Sequence, residues 1–139
     1  MKKFIFVSLL IVFSVISLLA NVTAEEVVTV RVEQDSILAT FVIPEDMHLT
    51  VQEDYFYLDV DPIEGVTLGE TIYPDGEADK DGYVNLHGTI YLTKKFTIAD
   101  GIDKSKVIFQ IYTGFQLCFE AYCEPPVDSE FSIPLVPTK

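Results

Sequence analysis

An all-β chain, folded as an immunoglobulin-like antiparallel β-sandwich, is predicted by three observations. Seven or eight short apolar or β-branched runs follow one another along the sequence, and Gly, Pro and Asp stand between them. No segment carries a sustained helical period with caps. "Immunoglobulin-like" describes the architecture alone, since the chain has no tryptophan and so lacks the core residue of true immunoglobulin domains.

Taken in order, residues 27–32 and 37–43 are β-branched runs, broken at Gln34-Asp35-Ser36, and read as the first hairpin. After Pro44 and the acids Glu45 and Asp46 a strand resumes at residues 49–51. Residues 55–60 and 66–68 follow, then 89–93 running on to 96–98, then 107–112. Residues 130–135 close the sandwich. Between Tyr73 and Tyr83 lies a segment with one proline, two glycines and four acids, which reads as a mobile loop. There is no internal repeat, linker or low-complexity segment.

The N-terminus has the three parts of a secretory signal: basic Met1-Lys2-Lys3, an apolar run over residues 4–20, and the small-residue end Val22-Thr23-Ala24. Cleavage after Ala24 is expected, which makes residues 1–24 a signal peptide and residues 25–139 the exported domain, periplasmic or otherwise outside the cytoplasm. An uncleaved anchor is the alternative. The whole chain carries a net charge of −13, and loss of Lys2 and Lys3 without any acid takes this to −15. So acidic a surface excludes nucleic acid and anionic lipid as partners and favours solubility or a basic protein partner.

Chemistry is concentrated at the only two cysteines, Cys118 and Cys123, which have four residues between them. That spacing is too long for a Cys-x-x-Cys redox turn and too short for an inter-sheet bridge. It suits opposed positions of a hairpin, where Cα atoms about 4.5 to 5.5 Å apart allow a disulfide. Closing so small a ring contributes only about 2 kcal/mol, so a purely structural staple in an exported binding module is one reading and a working redox pair is the other. The surroundings favour the second. Phe115, Phe119 and Tyr122 are candidates for a docking surface, although each also suits an inward strand position, and Pro125 and Pro126 would stiffen the backbone beside Cys123. Glu120 and Glu124 flank the thiols with no Lys, Arg or His in the motif, which predicts raised thiol pKa values and a passive disulfide attacked by its partner's thiolate.

Phe115-Gln116-Leu117-Cys118 and Cys123-Glu124-Pro125-Pro126 resemble the aromatic-Gln-x-Cys and Cys-x-Pro-Pro pattern of the N-terminal domain of DsbD, the periplasmic thiol:disulfide interchange family also described as disulfide bond corrector domains. Ile133-Pro134-Leu135, Phe41-Val42-Ile43-Pro44 with His48-Leu49, and the stretch from Gly65-Val66 to Tyr73-Pro74 are compatible with it, so the resemblance spans most of residues 26–136. Glu124 departs from it, standing where an apolar or aromatic residue is expected. The resemblance implies a sandwich whose cysteines cycle between dithiol and disulfide without a dissociable cofactor. It implies that Cys123 forms the mixed disulfide and Cys118 resolves it. A cap loop bearing an aromatic residue would cover them, with Tyr83 preferred to Tyr73 as the shielding ring. Implied partners are a thioredoxin-like protein or membrane electron donor on one side, and a periplasmic disulfide isomerase or cytochrome-maturation protein as acceptor on the other.

Two further signals are weaker. Residues 77–82 have the alternating acids and glycine of a calcium-loop opening, but the twelfth position is Gly88, and an acidic, solvated turn accounts for them. His48 and His87, with Met47 nearby, have no third ligand at a recognisable spacing, so no metal is expected. No triad or carboxylate pair supports a hydrolase.

Overall fold

The computed structural model describes residues 23–52 and 54–137. The apolar run of the expected signal lies outside them. After one helical turn at Ala24–Val27, α1, the chain is built from strands: β1 Val28–Val32, β2 Ser36–Val42, β3 His48–Thr50, β4 Tyr57–Val60, β5 Val66–Ile72, β6 Glu77–Ala78, β7 Val84–Leu86, β8 Thr89–Ile98, β9 Ile108–Phe115, β10 Leu117–Cys118 and β11 Val127–Pro134. Among the described residues all pairings are antiparallel, in three sheets ordered β1-β2-β8-β5, β11-β9-β4 and β10-β3-β7-β6. The all-β, immunoglobulin-like sandwich expected from the sequence is what forms.

Alternating burial along the strands makes the core. Ile37, Ala39 and Phe41 of β2 and Ile90, Leu92 and Phe96 of β8 are buried from one side, while Phe109, Ile111, Thr113 and Phe115 of β9 and Leu58 of β4 are buried from the other. Side chains two residues apart share a face, so each strand gives its apolar set to the interior and its polar set to water. Phenylalanines lock the layers together. The Phe96 and Phe109 rings lie 4.8 Å apart, and Phe41 meets Phe56 edge-on at 5.3 Å and Phe115 at 6.0 Å.

Only Gln116 separates β9 from β10, so one continuous run of chain leaves the β11-β9-β4 sheet and enters the small sheet at the end of the sandwich. That small sheet carries the cysteines. Its other members correct the reading of residues 73–83. The segment is not a mobile loop throughout, because Glu77 and Ala78 pair with Asn85 and Val84 to make a tight hairpin. Three-residue β7 and two-residue β6 are too short to show a period in sequence, and only their pairing defines them.

Candidate functional site

Two backbone hydrogen bonds form the cysteine hairpin. The Phe119 N–H donates to the Tyr122 carbonyl at 2.7 Å, and the Glu124 N–H donates to the Leu117 carbonyl at 2.8 Å. Between them Cys118 and Cys123 stand as a directly opposed pair, Cα atoms 3.9 Å apart, and are joined by a disulfide. Bonds placed on either side of a pair, rather than within it, bring opposed side chains closest. The Gln116 side-chain amide donates to the Glu124 carbonyl at 3.1 Å and fastens the returning arm. Pro125 and Pro126, both exposed, have no N–H to continue the ladder, and regular pairing resumes at Val127.

The two cysteines are unequal. Cys118 is 2% exposed, whereas Cys123 faces solvent. Of the aromatic docking candidates, Tyr122 is 58% exposed and Phe119 half-buried, with ring centroids 4.9 Å apart. Phe115 is corrected to a core residue. It is 1% exposed and packed on Phe41, because it takes an inward position of β9.

Beside the hairpin the Asp79–Tyr83 turn projects from β6 and β7. The Asp79 carboxylate Oδ1 accepts from the N–H groups of Asp81 at 2.9 Å and Tyr83 at 3.0 Å, and Oδ2 accepts from the Asn85 side-chain amide at 3.1 Å. These bonds, the one from Tyr83 foremost, hold the Asp79 carboxyl below its ordinary pKa. Gly82, at φ +86°, makes the sharp return that other residues rarely adopt. Tyr83 lines the same cleft as both cysteines, a space of about 870 Å³. Tyr73 is placed elsewhere, with its ring against Phe56 at 5.6 Å.

What stands on the other side of Cys118 left no signal in the sequence. In the pairing of β10 with β3, Cys118 is opposite His48, and Leu117 is opposite Leu49. Leu49 in turn opposes Leu86 of β7, so the same register carries His48 to His87, whose rings lie 5.8 Å apart. Leu117, Leu49 and Leu86 turn into the core, while the next row, Cys123, Cys118, His48 and His87, lines the cleft. His48 lies 70 positions before Cys118 in the chain; only strand pairing makes them neighbours. Among the described residues no group of three or more His, Cys, Asp or Glu is arranged to hold a metal ion, and no helix is long and apolar enough to cross a membrane. A second groove of about 670 Å³, lined by Val30, Ile98, Ile133 and Leu135 among others, contains neither thiol nor imidazole.

Two solved structures share this architecture. The reduced DsbD N-terminal domain of Neisseria meningitidis superposes with a TM-score of 0.58 at 23% identity, covering 78% of this chain and 83% of that one. A complex between the DsbD N-terminal and PilB N-terminal domains of the same organism gives 0.59 at 21% identity, covering 80% and 85%. The likeness is one of fold. No family model matches the chain, and no curated protein matches it.

Proposed function

We propose that this protein is an exported thiol-disulfide carrier that exchanges electron pairs with protein partners through Cys118 and Cys123. The observation that carries this reading is the asymmetry of the disulfide, one cysteine buried and the other exposed at the mouth of a cleft, on the fold of a DsbD N-terminal domain. Exchange requires a thiolate to approach one sulfur in line with the bond. Cys123 offers that approach and Cys118 does not. A partner thiolate attacks the Cys123 sulfur, the disulfide breaks, and the electron pair goes to the Cys118 sulfur. The partner's second thiol then releases Cys123, leaving a dithiol here and a disulfide there.

The exposed rings of Tyr122 and Tyr83, which both line the cleft, give a partner aromatic surface to dock against, and Tyr83 serves as the shielding ring. A DsbD N-terminal domain has been solved in complex with a PilB N-terminal domain, which supports protein partners for this fold. A thioredoxin-like protein or a membrane reductant would supply electrons; a periplasmic disulfide isomerase or cytochrome-maturation protein would receive them. Export rests on the signal-like residues 1–24 and on the disulfide itself, which persists outside the cytoplasm.

The deciding experiment is the reduction potential of the Cys118–Cys123 bond, measured by equilibrating the purified chain against glutathione or dithiothreitol buffers. A value of about −200 to −270 mV is expected, the range of proteins that exchange disulfides. A value well below about −300 mV would mark a structural staple and leave a β-sandwich binding module in place of the carrier.

A further inference from the structure

Breaking the disulfide leaves negative charge on the more buried sulfur. Cys118 is 2% exposed, and Glu45, Asp46, Asp79, Asp81 and Glu120 line its cleft against Lys80 as the sole lysine or arginine of that lining. Burial and neighbouring carboxylates both disfavour a thiolate. The leaving sulfur therefore needs a proton, and its own burial cuts it off from water. The sheet supplies a route. His48 is the direct cross-strand neighbour of Cys118 on the cleft side, half-buried, and the exposed His87 is next in the row, ring to ring at 5.8 Å. Opposed residues of an antiparallel pair have Cβ atoms about 4.5 to 5.5 Å apart, within reach of an imidazole on a sulfur.

We propose that His48 is the proton carrier for Cys118, with His87 connecting it to solvent. The proposal rests on the carrier reading for its biological use, though the chemistry holds for any thiol that opens the bond. During reduction an incoming thiolate bonds to the Cys123 sulfur, the Cys118–Cys123 bond breaks, and Cys118 receives the electron pair together with a proton from the His48 imidazolium. His48 recovers its proton from water through His87. In the reverse direction Cys118 gives its proton to neutral His48, and the resulting thiolate attacks Cys123 in the mixed disulfide. The partner sulfur departs with the electron pair and is protonated by solvent. Tyr83 and Tyr122 line the same cleft and take no part in this exchange.

The test is the rate of reduction of the oxidised chain by dithiothreitol from pH 5 to 9, divided by the concentration of dithiothreitol thiolate at each pH. The corrected rate of the native chain is expected to be highest at acid pH and to fall through the histidine range. H48Q should be about tenfold slower at the acid end, no slower at the alkaline end, and free of that step. In H48A, added imidazole buffer should restore the acid-side rate. H87Q should keep the step with a smaller loss. A flat profile in the native chain, or an H48Q profile that is lowered equally at all pH values, overturns the proposal. Should the variants fail to fold, the His48 titration followed by NMR in the native chain decides, since its midpoint must coincide with the step in rate. A potential below the exchanging range with the step intact would remove the carrier reading alone; an exchanging potential with a flat profile would remove the proton path alone.

Discussion

Gly114 shows how much one missing side chain can determine. It sits opposite Tyr57 in the β4–β9 pairing, and a Cβ at that position would run into the Tyr57 ring. The ring lies across the glycine, and its hydroxyl donates to the Asp128 carboxylate on β11 at 2.7 Å, so three strands are tied together. Desolvation first, and the Asp128 carboxylate second, push the Tyr57 pKa from 10.0 up to about 12. The folded chain thus holds this proton more tightly than the unfolded chain does. Its stabilisation is complete below pH 10 and is lost as pH rises towards 12, and Y57F should unfold with less dependence on alkali over that window, as followed by circular dichroism. G114A is expected to lose about 1 to 3 kcal/mol in urea denaturation, because the ring must leave its place and Asp128 loses its donor.

Among the elements, the Asp79–Tyr83 turn depends on a single carboxylate. Asp79 is ionised and accepts from two backbone N–H groups of the turn, so D79A should increase hydrogen exchange at Asp81 and Tyr83 and leave the β9 amides unchanged. Its pKa is depressed in the fold. The stabilisation it gives is present above the ordinary value of 3.8 and is lost as pH falls through the lower folded value, so the native turn should loosen in acid and the D79A turn should show no such step. If the turn shields the cysteines, D79A will also speed alkylation of the reduced thiols, and an unchanged rate would remove Tyr83 from the shielding role. The acids in this segment are legible in the sequence as a solvated turn. That one of them organises the turn depends on φ at Gly82 and on the β6–β7 pairing, which leave no periodic signal.

At the scale of the molecule, the disulfide lies at one end of a core that Phe41, Phe56, Phe109, Phe115 and their neighbours complete without it. Reduction is expected to lower stability by only about 2 kcal/mol, with a single cooperative transition in urea before and after, and a reduced chain that unfolds would contradict a cycling carrier. The fold class was legible because β-branched runs and the Gly, Pro and Asp breaks between them are local properties of residues such as those of β2, β8 and β9. Local too was the cysteine hairpin, since four intervening residues and two prolines leave the chain few other paths. Phe115 was ambiguous for a physical reason: an aromatic on a strand beside the cysteines faces the core or the cleft according to register alone, and a shift of one residue reverses it. By itself the sequence determined an exported-looking, acidic, all-β chain with one thiol pair, because each of these follows from composition or from neighbours in the chain. Only the tertiary structure decided that Cys118 is buried and Cys123 exposed, that Tyr83 rather than Tyr73 lines their cleft, and that His48 and His87 extend the cysteine row, because strand pairing joins residues far apart in the chain.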